Sequence, residues 1–211
     1  MSKEVLFESG GVRGWLHEPA SAPSRALVMT HGAGGNAKGE MLIAIARALA
    51  SQGWLVLRCD LPFRQQRAAG PPRPTDAPKD RQGLRDAVDA MRTRLLPASA
   101  GIPVTLGGHS YGGRQASMLA AEAGPDLAID SLLLCSYPLH PPARPDQLRT
   151  AHFSAIGVPV LFVHGTRDPF GTPDEMRAAI KLVPGKAWIE FIEGAGHDLK
   201  RGKELGFLKL L

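Results

Sequence analysis

The stretch Val104-Thr105-Leu106-Gly107-Gly108-His109-Ser110-Tyr111-Gly112-Gly113 decides how the chain is read. Residues 104–106 form a short run of strand character, and over 112–123 apolar residues recur at helical spacing. Between the two lies Gly108-x-Ser110-x-Gly112. A serine at the tip of a strand-to-helix turn needs glycines beside it, because side chains there would collide as the chain reverses. Such a turn lifts the Ser110 hydroxyl clear of a sheet. It also aims the first backbone N–H groups of the helix at whatever the oxygen attacks. The glycine–serine pattern alone recurs by chance; its place between strand and helix makes Ser110 a candidate nucleophile.

The same alternation extends outward in both directions. Val5-Leu6-Phe7 and residues 12–17 flank Gly10-Gly11 as a hairpin. Residues 26–30 read as a buried strand emptying into His31-Gly32-Ala33-Gly34-Gly35. Met41, Leu42, Ile45, Ala48 and Leu49 predict a helix over 38–51, and 54–57 is the next buried strand. A stretch with five prolines, 60–79, reads as irregular, and a helix restarts near Asp80 with Leu84, Val88, Met91 and Leu95 on one stripe. Strands follow at 131–135, 159–163 and 187–192, with helices over 173–183 and from about Asp198. Apolar strands separated by amphipathic helices predict an α/β fold: a mostly parallel sheet of about seven or eight strands, covered by helices on both faces. No repeat or composition shift interrupts it, so one domain is expected over 1–211.

Composition narrows the function classes. Apolar residues make up 44% and charged residues 21% of the 211, which excludes wholesale disorder. No apolar run reaches the ~18 to 20 residues of a membrane span. The opening residues 1–8 lack a long apolar core, so a cytoplasmic protein is expected. Cys59 and Cys135 each close an apolar run and read as reduced, inert thiols. The net charge of +5 is concentrated between Arg58 and Arg94, where eight Arg and one Lys face five Asp. Without a recognition motif nearby this segment does not argue for nucleic acid. It leaves the strand ending near Arg58 on the side where a site would form, so Arg64, Arg67 and Arg114 are candidates to hold an anionic substrate.

A serine hydroxyl needs a base, and the base needs an acid to fix its tautomer. Of seven histidines, His197 lies in Glu193-Gly194-Ala195-Gly196-His197-Asp198, a loop just beyond the last strand. Loops at the carboxyl ends of parallel strands are where sites form. Asp168 occupies the equivalent loop, His164-Gly165-Thr166-Arg167-Asp168-Pro169, after the preceding strand. His109 sits inside the turn, where its ring should point away from Ser110, and His17, His31 and His164 read as structural. The glycine loop 31–35 leaves its strand with little side-chain bulk, so the N–H of Ala33, with that of Tyr111, is assigned to an oxyanion hole and Gly34 to substrate contact. No metal or cofactor is called for.

With these residues in place the chain resembles an α/β-hydrolase over nearly its whole length, in the small, lidless, dienelactone-hydrolase-like branch. Ser-Tyr-Gly-Gly-Arg-Gln (110–115), Ser-Tyr-Pro-Leu-His-Pro-Pro (136–142) and His-Gly-Thr-Arg-Asp-Pro-Phe-Gly (164–171) are similar to a group of bacterial hydrolase-like proteins. That group in turn resembles the hydrolase-like domain of a eukaryotic chromatin-complex subunit. The resemblance implies an eight-stranded-type sheet and a catalytic triad of Ser110, His197 and Asp168. Dienelactone hydrolases use cysteine where this chain has Ser110, so dienelactone specificity does not carry over. About 22 irregular residues follow Cys135, too few for a helical cap; Tyr137, Leu139 and His140 are expected to line the pocket wall, and a short acyl group to suit so open a site. The expected substrate is a small ester or thioester, with an anionic one favoured by the arginines. The competing reading is a non-catalytic interaction module.

Overall fold

The hairpin around Gly10-Gly11 forms from β1 (Lys3–Ser9) and β2 (Val12–Glu18), antiparallel with Ser9 opposite Val12. The structure is a computed structural model that describes residues 3–96, 101–199 and 206–211. Then come β3 (Arg25–Thr30), α1 (Glu40–Ser51) and β4 (Trp54–Cys59). The stretch read as irregular contains a helical turn, α2 (Pro62–Gln66), and α3 starts early, at Ala77–Ala90. Pro62 is the reason the first was missed. Proline at the first helical position is favourable, since its absent N–H would be unpaired there anyway, and five residues are too few for periodicity to show.

The second half adds β5 (Val104–His109), α4 (Tyr111–Ala123), β6 (Ser131–Cys135), β7 (Val160–Gly165), α5 (Pro173–Ile180) and β8 (Ala187–Ile192). The helix expected from Asp198 falls mainly outside the described residues; of those described, Gly206–Leu210 makes a short 3₁₀ turn. Between β6 and β7 the chain carries only a three-residue 3₁₀ turn, Phe153–Ala155, and no helical cap.

The eight strands form one sheet in the order β1-β2-β4-β3-β5-β6-β7-β8, parallel from β4 to β8. Successive residues of the central strands alternate between two cores. Val28, Leu57, Leu106 and Leu134 pack with Leu84 and Val88 of α3 and Ala116 and Leu119 of α4. Leu27, Met29, Val56 and Leu133 pack with Leu42, Ile45 and Leu49 of α1. Strands buried on both faces explain why they appear in the sequence as unbroken apolar runs rather than as alternation. Among the described residues no helix is long and apolar enough to cross a membrane.

Strand order also places the site. The chain runs from β3 outward to β4, then crosses back to β5 on the other side of β3. The carboxyl ends of β3 and β5 therefore diverge at a switch point, the crevice where open α/β sheets bind their ligands.

Candidate active site

Ser110 stands at that switch point, between the end of β5 and the first residue of α4. Its backbone, φ 51° and ψ −117°, lies in a region that side chains rarely adopt and that costs about 1–3 kcal/mol. Close packing maintains it. A Cβ on Gly108 would come within 2.6 Å of the Gly112 carbonyl carbon, and one on Gly112 within 2.5 Å of the His31 oxygen. The Ser110 N–H donates to the Cys135 carbonyl of β6 at 2.8 Å, tying the turn to the neighbouring strand.

Three loops converge on the hydroxyl. Ser110 Oγ lies 2.8 Å from His197 Nε2, and His197 Nδ1 lies 2.8 Å from Asp168 Oδ2. The Asp168 side chain is fully enclosed, and its second oxygen accepts the Phe170 N–H at 2.9 Å. The Asp168 and His197 loops are stitched together: Arg167 N–H donates to the Ala195 carbonyl and Gly194 N–H to Thr166 Oγ1. Close approach is again a matter of glycine, since a Cβ on Gly165 would sit 2.3 Å from the Ala195 oxygen. Two histidines read as merely structural support the pair. His109 Nε2 is 2.8 Å from the His197 carbonyl, and His164 Nε2 donates to the Gly171 carbonyl while lying 3.8 Å from Asp168 Oδ2. Burial holds both imidazoles below the ordinary histidine range, so each stays neutral.

The glycine loop after β3 is clamped from the end of β4. The buried Asp60 carboxylate accepts the Ala37 N–H at 2.7 Å, and the buried Arg58 guanidinium donates to the Ala37 carbonyl, to His17 Nε2 and to Glu4. Arg64 does the most. Its Nε donates to the Gly35 carbonyl and its Nη2 to those of Ala33 and Gly70, while Nη1 donates to the Arg67 carbonyl. The His31 ring fits between as a neutral imidazole, with Nδ1 against the Gly32 carbonyl and Nε2 accepting the Leu61 N–H. On the other side of the turn, Tyr111 donates its hydroxyl to Asp80 at 2.7 Å. Burial raises the Asp80 carboxyl above the ordinary carboxylate range.

A cavity of about 730 Å³ opens above Ser110. His109, Ser110 and His197 meet it from below, Ala33 and Gly34 from the glycine loop, Met41, Leu42 and Ala44 from α1, and Phe170 and Leu199 from the facing loops. Of the residues assigned to substrate from the sequence, Gly34 alone lines it. Arg64 is spent on loop carbonyls, and Arg67 on Asp76 at 2.5 Å. Tyr137 is fully buried with its hydroxyl donated to the Arg149 carbonyl. His140 is buried against the Pro141 carbonyl and Glu175. Arg114 is half-buried on α4, with its Nε enclosed away from the cavity lining. The pocket wall thus comes from α1 and the 196–199 turn rather than from the segment after β6. Among the described residues no group of three or more His, Cys, Asp and Glu is arranged to hold a metal ion.

Solved structures share this architecture. TT1662 from Thermus thermophilus superimposes with a TM-score of 0.74 at 23% identity, over 100% of this chain and 98% of its own. Est1E from Butyrivibrio proteoclasticus gives 0.73 at 17% identity, over 98% and 95%. A dienelactone hydrolase from Anabaena variabilis gives 0.71 at 21% identity, over 100% and 92%. At such identities these likenesses speak for the fold. The family is settled by its own sequence model, described as an alpha/beta hydrolase domain, which matches residues 23–209: the chain belongs to the alpha/beta hydrolase family.

Proposed function

We propose that the protein is a serine hydrolase that cleaves a small-molecule carboxylic ester or thioester through an acyl-enzyme. The observation that carries this reading is the unbroken chain from Ser110 Oγ to His197 to Asp168, each link 2.8 Å long. In the first half-reaction Ser110 Oγ attacks the substrate carbonyl carbon and its proton passes to His197 Nε2. Asp168 keeps the Nδ1–H in place and stabilises the imidazolium. The carbonyl oxygen, now negative, is held by the N–H groups of Ala33 and Tyr111, the latter the first of α4 and favoured by the helix dipole. Collapse expels the alcohol or thiol, which leaves with the proton from His197. Water then attacks the acylated Ser110, giving its proton to His197. Breakdown of the second tetrahedral species frees the acid and returns the proton to Ser110.

The arrangement supports catalysis over a non-catalytic interaction module. A scaffold has no need of a strained serine backbone aimed at a histidine. Treatment with a fluorophosphonate tests the reading. A stoichiometric adduct on Ser110, absent from Ser110→Ala, is expected; no adduct, or one on another residue, would contradict it.

A further inference from the structure

Resting on that reading of Ser110, we infer that the acyl group carried by the substrate is uncharged, apolar and longer than butyryl, and that it lies in the cavity between α1 and the 196–199 turn. The walls argue for apolarity. Met41 and Leu42 on α1, Phe170 and Leu199 face the space beside Ser110. Leu199 is held there with φ at 53°, a left-handed conformation unusual for a leucine and stabilised by its N–H bond to the Gly196 carbonyl. Phe170 lies with its ring centroid 4.3 Å from that of His197, extending the apolar surface right up to the base.

Charge argues against an anion. Among the described residues that line the cavity there is no lysine or arginine, whereas Glu40, in the first turn of α1, is one of them. A carboxylate on the acyl chain would meet that like charge and would lose its hydration against the apolar walls. Arg64 and Arg67, assigned to an anionic substrate from the sequence, already donate to loop carbonyls and to Asp76. Size argues for length. About 730 Å³ is within the range of cavities that enclose whole drug-sized ligands, so an acetyl group would leave most of it unfilled. The acyl side is chosen over the alcohol side because the α1 wall continues directly from the glycine loop that holds the carbonyl oxygen.

The test is an initial-rate series on nitrophenyl esters of two, four, six and eight carbons, with nitrophenyl hemiglutarate as the charged member. Acetate esters of lengthening alcohols form a second series. Each buried methylene is worth about 0.8 kcal/mol, so kcat/KM should rise roughly fourfold per carbon, or on the order of 10²-fold from acetate to hexanoate. Hemiglutarate should fall at least tenfold below pentanoate. Ala44→Trp, at an exposed position of α1 on the cavity lining, should lower the hexanoate-to-acetate ratio tenfold or more. A flat or falling acyl series, hemiglutarate equal to pentanoate, or a rise confined to the alcohol series would overturn this inference. Ser110 acylated by every ester without regard to length would do so while leaving the proposed function standing. No turnover and no Ser110 adduct with any ester would overturn both.

Discussion

Tautomer is the quantity that single side chains control in this site. With Nδ1–H donated to Asp168, His197 presents a bare Nε2 to the Ser110 hydroxyl. Asp168→Asn keeps an acceptor for the Phe170 N–H but offers an amide to the ring, which favours the wrong tautomer. It should lower kcat by roughly 10⁴-fold with the unfolding midpoint little changed; kcat within tenfold of the parent would count against the assignment. Arg64 acts one step removed, as a positioning residue for the loop that carries Ala33. Arg64→Met should reduce kcat by about 10- to 100-fold, below the ~2.7–4 kcal/mol that loss of a whole oxyanion donor costs. KM should move far less, and Arg64→Lys, without the planar fork, should restore little. A loss confined to KM would mean that Arg64 binds substrate after all. Ser110, Asp168 and His197 could be picked out of the sequence because each sits in a loop that a strand announces. Arg64 could not, since a buried guanidinium satisfied by backbone carbonyls looks in sequence like any other basic residue of a proline-rich loop.

Glycine distribution governs the turns that join the elements. A methyl on Gly112 would meet both the His31 oxygen at 2.5 Å and Thr30 Cγ2 at 2.6 Å, where Thr30 ends β3 and His31 follows it, both buried with little room to retreat. Gly112→Ala should therefore destabilise the fold by roughly 2–3 kcal/mol, read as a lowered urea midpoint. Gly34→Ala meets nothing within 4 Å and should stay within about 0.5 kcal/mol of the parent. Equal stability of the two variants would show that the turn is not tightly packed around Gly112. The elements themselves were largely readable: β3, β4, β5, β6 and β7 are buried on both faces and announce themselves as apolar runs. What periodicity missed was α2, a single helical turn, and the apolar wall of the cavity. That wall is built by residues of α1 that also fit the stripe of an ordinary packed helix, so nothing in their spacing marks them as facing a ligand.

Across the whole molecule, buried imidazoles link stability to pH. Burial, with Arg58 next in weight, lowers His17 to about 4, and burial with Arg114 and Arg81 lowers His152 to about 4. In the unfolded chain both would titrate near 6.5. Between those values the unfolded state binds more protons than the native one, so native stability is complete above about pH 6.5 and declines as pH falls toward 4. For each such histidine the slope approaches 1.4 kcal/mol per pH unit at most. His17→Gln, which keeps an acceptor for Arg58, should flatten the fall of the urea midpoint between pH 6.5 and 4.5; an unchanged slope would contradict it. The strand order of the same sheet brings together the three loops that meet at Ser110, which leave the carboxyl ends of β5, β7 and β8. The central claim is that this convergence makes Ser110 the acyl carrier. It is tested most directly by mixing the protein with a nitrophenyl ester, quenching in acid within the first turnovers and mapping the acylated peptide by mass. The account predicts acyl on Ser110 alone, in step with a burst of nitrophenol, and neither in Ser110→Ala. Acyl on another residue, or an undiminished burst from Ser110→Ala, would contradict it.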